Sequence, residues 1–110
     1  MDLPDFIKNM PSLDVPFPEE IVTTSAIRSD AGVMVLFTFH QDAALPAHAH
    51  KGQWGTVVEG EVHLTIDGKT TIYRKGESYN IPSGVEHSVK VPAGTIALDI
   101  FEEPDRYPLR

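Results

Sequence analysis

Two of the five histidines in this chain stand close together in the sequence. His48 and His50 are separated by a single residue, so on a β-strand both imidazoles lie on the same face. Two protonated imidazoles side by side repel each other, whereas a divalent metal ion binds neutral imidazole and favours convergent ligands. The pair therefore indicates a metal site. Taken without its surroundings, the pair could equally lie at the solvated edge of a loop.

Two ordered motifs surround these histidines. Residues 76–87 read GESYNIPSGVEH, with glycine first, proline and a second glycine at fixed distances, and His87 at the end. Residues 48–60 hold the His-Ala-His pair, then Gln53, then six residues before Gly60. In this order, and fifteen residues apart, the two stretches resemble the two signature motifs of the cupin superfamily, and the resemblance extends over roughly residues 39–101.

The resemblance implies a fold and a set of metal ligands. Cupins are double-stranded β-helices, which are small jelly-roll barrels. By this resemblance, the metal ligands are His48, His50, Gln53 and His87. The chain departs from the usual motifs at Asp42 in place of a glycine, at Gln53 in place of a glutamate, and at Val91 in place of an asparagine. The alternative interpretation of Gln53 is a polar cavity residue that hydrogen-bonds to the backbone.

This ligand set has a chemical consequence. Three imidazoles and one amide are neutral, so a bound ion keeps its whole charge of about +2, which favours an anionic ligand such as a carboxylate or an enediolate. Nitrogen and oxygen donors without thiolate suit Mn, Fe, Ni, Co or Zn. Three or four protein ligands also leave positions open for water and substrate, as in catalytic sites.

The last strand adds a candidate acid or base. Within residues 95–101, Asp99 shares a face with Ala97 and Phe101, and a carboxylate on so apolar a strand is unusual unless it is paired or functional. Cupins that act on unsaturated uronates from pectin and alginate breakdown look similar here, with Asp-x-Phe and an arginine four residues on. That resemblance implies that Asp99 is the acid/base and Phe101 shapes the pocket. The arginine is displaced by one position, to Arg106, and an edge salt bridge is the alternative role for Asp99.

The pattern of the whole chain predicts an all-β domain. Short segments rich in β-branched and aromatic residues alternate with prolines and glycines. The strands are predicted at 21–29, 32–40, 53–58, 61–67, 69–74, 78–81, 87–91 and 95–101. Asp67-Gly68 is typical of a type I′ hairpin turn. We expect a short helix within 3–10, an extended arm outside the core over 13–20, and hence an N-terminal arm at 1–20 followed by a barrel at 21–110.

Several single residues receive simpler interpretations. His63 falls on the polar face of its strand and is expected to be solvated. His40 is expected to be a hydrogen-bonded histidine near a turn, and a position facing the cavity is its alternative. Trp54 is expected by default to pack in the core, and the alternatives are a place in the pocket wall or between packed subunits. The segment 102–107 is expected to be solvated or to bridge two subunits.

Composition limits the remaining classes of function. The chain has 110 residues, a net charge of −7 and no cysteine, which excludes disulfide scaffolds, thiolate metal sites and cysteine nucleophiles. The negative charge argues against nucleic-acid and anionic-membrane partners. No apolar run approaches a membrane span, and residues 1–10 lack a signal pattern. We expect a soluble, cytoplasmic domain, and the resemblance to cupins implies a homodimer formed through the N-terminal arm.

Two classes of function agree with these features. One is a metalloenzyme acting on a small, anionic, oxygen-rich substrate such as a sugar acid, for example by ring opening or tautomerisation of an unsaturated uronate. An iron-dependent dioxygenase needs the same ligands. The other class is a non-catalytic cupin module that binds a small molecule.

Overall fold

The computed structural model describes residues 1–110, which form nine antiparallel strands and one helical turn. The elements are α1 (Asp5–Lys8), β1 (Val22–Ser29), β2 (Gly32–Phe39), β3 (Ala43–His48), β4 (Gln53–Glu59), β5 (Glu61–Ile66), β6 (Lys69–Arg74), β7 (Ser78–Ile81), β8 (His87–Val91) and β9 (Ile96–Phe101). The all-β prediction, with a short N-terminal helix, is confirmed.

The strands form two sheets. One has five strands in the order β1-β2-β9-β4-β7, and the other has four in the order β3-β8-β5-β6. Neighbouring strands are mostly distant in sequence, as in a jelly roll, in which the chain crosses repeatedly between two packed sheets. The C-terminal strand β9 lies at the centre of the larger sheet, so its inward face is directed into the barrel.

Eight of the nine strands were predicted within one residue at each end. The turn between β5 and β6 also has the predicted conformation, with φ of 53° at Asp67 and 72° at Gly68. The strand that the pattern missed is β3, which contains Pro46 and two small alanines rather than β-branched residues. It lies at a sheet edge and has an irregular register between Leu45 and His48, where proline is tolerated.

The N-terminal segment corrects one expectation. Residues 13–20 were expected to lie outside the core, yet Leu13 is fully buried and Val15 is 6% exposed. Both belong to an apolar cluster with Val33 and Phe101. The Thr24 hydroxyl accepts a hydrogen bond from the Leu13 amide at 2.8 Å. The two prolines of this segment prevent a regular strand but do not prevent burial.

One further expectation is wrong, and a second is met only in part. Trp54 is 41% exposed rather than packed in the core, because it occupies the outward face of β4. The segment 102–107 is not wholly solvated, because Tyr107 is 9% exposed and packs edge-on against Phe101, with ring centroids 5.8 Å apart.

No helix in the structure is both long and apolar enough to cross a membrane.

Candidate metal centre

Three histidines meet at one end of the barrel because two strands of the smaller sheet pair there. His48 ends β3 and His87 begins β8, and the two residues face each other across the antiparallel pair. His50 follows in the loop that leads into β4. The irregular register of β3 before His48 sets this local geometry, as bulges commonly do next to functional sites.

The three imidazoles converge. Their ring centroids lie 4.3 Å apart for His48 and His87, 4.9 Å for His50 and His87, and 5.2 Å for His48 and His50. One ring nitrogen from each residue lies within 4.8 Å of the other two. This cluster could hold a metal ion, since zinc and similar ions bind imidazole nitrogens at about 2.0–2.1 Å.

Backbone carbonyls determine which nitrogen of each ring is free. The Nδ1 atom of His48 lies 2.9 Å from the Pro46 carbonyl oxygen, that of His50 lies 2.6 Å from Lys51 and that of His87 lies 2.9 Å from Val85. A carbonyl only accepts, so each Nδ1 donates and each Nε2 of a neutral ring carries a lone pair. Such bonds orient ligating histidines in metal sites.

The environment also favours the neutral rings that a metal needs. Burial lowers the pKa of His50 and of His87, and the backbone hydrogen bonds of these rings oppose that effect only in part. The Nε2 atom of His50 is buried without any hydrogen-bond partner. A buried polar atom without a partner is costly, and a bound ion would satisfy it. The donor set therefore fits a transition-metal ion.

Two glutamates hold the loop that carries His50. Glu102 Oε1 accepts the Gly52 amide and Glu103 Oε1 accepts the Lys51 amide, both at 2.9 Å. These acids follow β9 directly, in the segment that the sequence suggested was solvated or bridging. Within this chain, they hold the 50–53 loop against the end of the central strand β9.

Asp99 lies in the same cavity, 4% exposed. Its Oδ1 accepts hydrogen bonds from the Tyr79 hydroxyl at 2.7 Å and from the Gln53 side-chain amide at 2.8 Å. Burial raises the pKa of Asp99 to about 6, although the two hydrogen bonds act in the opposite direction. Its partners in the structure are this tyrosine and amide, not a cation at the sheet edge.

A glycine makes room for this arrangement. Gly55 on β4 lies opposite Tyr79 on β7 and opposite Asp99 on β9. A Cβ at Gly55 would overlap both the Asp99 carboxylate and the Tyr79 ring. Sequence analysis did not identify Tyr79 or Gly55, because only the register of the three strands brings them together.

The cavity around these groups has a volume of about 80 Å³, and 16 of its 22 lining residues are hydrophobic. The six residues that the sequence predicted as metal ligands, acid/base and pocket wall all line it: His48, His50, Gln53, His87, Asp99 and Phe101. The ring of Phe101 lies 5.7 Å from that of His50. Because Phe101 is the last residue of β9, its side chain forms part of the cavity wall beside the histidines.

Arg106 lies near the histidines but does not line this cavity. Its guanidinium carbon is 4.3 Å from the centroid of the Tyr107 ring, and Arg106 shares surface depressions with His48 and His50. Its Nε is buried without a hydrogen-bond partner. The one-residue displacement seen in the sequence therefore leaves a cation beside the site.

The other two histidines lie outside the cluster. His40 shares a hydrogen bond of 2.9 Å with the Thr23 hydroxyl, as expected for a histidine near a turn. His63 is about one-third exposed and pairs with the Glu61 carboxylate, so it is only partly solvated.

Comparisons with known proteins agree with this architecture. A quercetin 2,3-dioxygenase from Bacillus subtilis (strain 168) is 30% identical over 80 residues, which cover 68% of this chain and only 24% of that protein. An RmlC-like cupin from Shewanella frigidimarina has a similar structure, with a TM-score of 0.73, 28% identity and coverage of 89% of this chain and 86% of that chain. KdgF from Halomonas sp. has a TM-score of 0.71 and 19% identity, over 86% of this chain and 88% of that chain. The family model of the cupin domain matches residues 35–101, and this chain therefore belongs to the cupin family.

Proposed function

We propose that this cupin is a metal-dependent enzyme that moves a proton within a small, anionic, oxygen-rich substrate. A sugar acid is the substrate class, and ring opening or tautomerisation of an unsaturated uronate is the specific reaction. One observation carries the proposal: a buried carboxylate, Asp99, shares a small cavity with three convergent imidazoles.

The metal ligands in this proposal are His48, His50 and His87 through Nε2, with Gln53 as the fourth. The Gln53 amide nitrogen donates to Asp99, so its carbonyl oxygen is the end available to an ion. When bound, a divalent ion would polarise a substrate carboxylate or carbonyl and stabilise developing negative charge. Because all four ligands are neutral, they would leave the positive charge of the ion undiminished.

Asp99 is the proton carrier in this proposal. A carboxyl with a pKa of about 6 both accepts and releases a proton near neutral pH, as general acid–base catalysis requires. Two donors occupy its Oδ1, so Oδ2 is the oxygen left to exchange a proton with substrate. A tautomerisation moves one proton from oxygen to carbon without a second reactant, so a single carrier suffices.

Arg106 and Phe101 position the substrate. Arg106 supplies a permanent positive charge beside the histidines and suits a carboxylate, which it can bind through two parallel hydrogen bonds. Phe101 forms an apolar wall next to His50 and keeps water from the reacting carbon. In this proposal the anionic end of the substrate lies toward Arg106 and its reacting carbon lies near Asp99.

The first experiment separates metal binding from turnover. Metal content is measured by elemental analysis for the wild type, for His87→Ala and for the matched control His63→Ala, whose histidine lies outside the cluster. We expect near-stoichiometric metal in the wild type and the control and its loss in His87→Ala. Equal metal content in all three proteins would contradict metal binding by the histidine cluster.

The second experiment tests the proton carrier. Unsaturated uronates are screened with the metal-loaded wild type, Asp99→Asn and the control Asp105→Asn, which removes an exposed carboxyl. We expect turnover by the wild type and the control, and a loss of at least about a hundredfold in Asp99→Asn with its metal retained. Turnover retained in Asp99→Asn would assign the proton transfer to another group.

A dioxygenase is the second candidate. The mainly apolar lining of the cavity suits a flat aromatic substrate better than a sugar, and a relative named quercetin 2,3-dioxygenase shares 30% identity with part of the chain. Oxygen uptake with a flavonol, present with iron and absent with zinc, would favour this candidate. No uptake with either metal would exclude it, and ligand-induced stabilisation without product would favour the binding module.

A further inference from the structure

Three consecutive residues before the first strand form part of the wall of the histidine cavity. Val15, Pro16 and Phe17 line this cavity together with His87 and Phe101. Val15 is buried, Pro16 is exposed and Phe17 is half-buried, which is the alternation of an extended segment with every second side chain turned inward. We call residues 15–17 the strap, because they cross one side of the cavity.

The backbone of the strap is tied at its two ends and not between them. Before the strap, the Asp14 amide donates to the Pro108 carbonyl at 2.7 Å. After it, the Ile21 amide donates to the Pro18 carbonyl at 2.9 Å. Residues 15–17 belong to no strand and form no backbone–backbone hydrogen bond. Segments with so few hydrogen bonds open locally at a lower free energy than the strands of a sheet.

Prolines make the strap stiff. The rings of Pro16 and Pro18 fix φ near −65°, and a residue before proline is restricted to extended conformations. Val15 and Phe17 are both such residues. The strap is therefore expected to move as one piece, bending at its ends rather than within.

One side chain holds the strap from outside. The Arg110 guanidinium lies 3.1 Å from Glu19 Oε1 and 3.6 Å from Asp14 Oδ1. Its Nη2 donates to the Phe17 carbonyl oxygen at 3.5 Å. Both carboxylate side chains are 64% exposed, and ion pairs at such positions are weak and are screened by salt. The strap is thus held by contacts that water and ions can replace.

A surface depression lies directly outside the strap. It is lined by residues 14–16, by residues 45–48 at the end of β3, and by Arg106. Five residues line both this depression and the cavity: Val15, Pro16, Leu45, His48 and Tyr107. The depression and the cavity therefore lie on opposite sides of the same few side chains.

We propose that the strap is a gate, which moves away from β3 to admit a molecule from this depression into the cavity and closes when Arg110 holds it again. The motion separates Val15 and Pro16 from β3, while the hydrogen-bonded strands stay in place. Arg106 lies on this route, so an anionic molecule passes a positive charge as it enters. The gate acts on any molecule that enters the cavity and does not depend on the reaction proposed above.

His87 reports whether the gate is open. This residue is 2% exposed, and its Nδ1 is occupied by the Val85 carbonyl, which leaves Nε2 to react. Diethyl pyrocarbonate acylates neutral imidazole nitrogens, and peptide mapping by mass spectrometry measures the reaction at each histidine. The reagent is applied to the 110-residue chain after any metal has been removed with a chelator. The exposed His40 is the reference in the same sample.

The first pair of variants tests the hold of Arg110. Arg110→Ala leaves every cavity-lining side chain in place and should raise the rate at His87, relative to His40, about threefold or more. Arg74→Ala is the matched control, because it removes the same charge from an exposed position on β6, and it should react like the wild type. Raising NaCl from about 0.1 M to about 1 M should speed the reaction in wild type and control, but not in Arg110→Ala.

The second pair of variants tests the route. Ala47 lines the depression outside the strap, whereas Ala49 lines a different depression beside Ser83. Both alanines are exposed, and neither lines the cavity. Ala47→Phe should therefore slow the reaction at His87 severalfold, and Ala49→Phe should leave it unchanged.

Three outcomes would overturn the proposal. A wild-type His87 that reacts as fast as His40 would show that the cavity is open without any motion of the strap. Equal rates in Arg110→Ala and Arg74→Ala would show that Arg110 does not hold a gate. A steep increase of the His87 rate with urea, below the unfolding transition, would show that the ring reacts through global unfolding, since local opening exposes little surface.

Discussion

The Tyr79 hydroxyl donates a hydrogen bond of 2.7 Å to Oδ1 of Asp99, across the empty side-chain position of Gly55. The Gln53 amide donates to the same oxygen at 2.8 Å. The two oxygens of one carboxyl group thus have different environments. In the proposed mechanism, Oδ1 is fixed by the protein and Oδ2 exchanges a proton with substrate.

Removal of the tyrosine hydroxyl should weaken the fold. Tyr79→Phe leaves a buried carboxyl with one donor fewer, which costs about 1–3 kcal/mol of unfolding free energy. Because the hydrogen bond from Tyr79 lowers the pKa of Asp99, the variant should also raise that pKa further. Chemical denaturation measures the first effect. Tyr73→Phe, on the ring that packs 5.4 Å from Tyr79, is the matched control, and equal losses in both variants would contradict the assignment.

The titration of Asp99 predicts how stability depends on pH. The pKa of Asp99 rises from its ordinary value of 3.8 to about 6 on folding, so the folded state holds the proton more tightly. The resulting stabilisation is complete below pH 3.8 and is lost as pH rises through about 6, which amounts to about 3 kcal/mol in all. The Asp99→Asn side chain has no proton to lose in this range, so the unfolding free energy of this variant should not fall in this way as pH rises.

The comparison of the two proteins isolates the effect. Unfolding free energies of metal-free wild type and Asp99→Asn are measured between about pH 5 and about pH 7.5. The wild type should lose about 1 kcal/mol relative to the variant over this range. Asp105→Asn, at an exposed carboxyl, should follow the wild type. A constant difference between wild type and Asp99→Asn would show that the carboxyl titrates outside this window.

The positions of the candidate site residues could be predicted where motif spacing is tied to strand geometry. His48, His87 and Asp99 occupy strand positions whose inward faces follow from alternation, and all three line the cavity. Strands β5 and β6 were predicted because the Asp67-Gly68 turn determines their register. For these elements, local chemistry and the global fold agree.

Other features depend on register between distant strands, which no local pattern contains. Tyr79 meets Asp99 only because β7 and β9 flank β4, and the burial of Leu13 depends on contacts with Val33 and Phe101. The exposure of Trp54 was misjudged because large aromatic residues usually pack in cores. Its outward position follows from its place opposite Ile100.

The small residue at position 55 should be essential to the site. Gly55→Ala places a methyl group where the Asp99 carboxylate and the Tyr79 ring already lie. Overpacking of this kind costs about 1–3 kcal/mol, or more when neighbours cannot move. Thermal denaturation should show a larger loss than for Gly76→Ala. Gly76 has open space around it and carries only the strain of a positive φ of 86°. A Gly55→Ala variant as stable as wild type would mean that the tyrosine and the carboxyl can separate freely.

The glutamates after β9 should tune metal affinity without touching the metal. Glu102 and Glu103 accept the amides of Gly52 and Lys51 and so fix the loop that presents His50. Glu102→Ala removes the hydrogen bond to the Gly52 amide and should weaken metal binding about tenfold. This value is the lower end of the range for groups that orient metal ligands without binding the metal.

Competition with a chelator of known affinity measures this change. Glu86→Ala is the control, because it removes an exposed acid adjacent to His87 and changes the local charge by the same amount. If charge alone governed affinity, the two variants would weaken binding equally. If the hydrogen bond to Gly52 positions His50, only Glu102→Ala weakens it, and Glu102→Gln, whose side-chain oxygen can still accept that bond, restores most of the affinity.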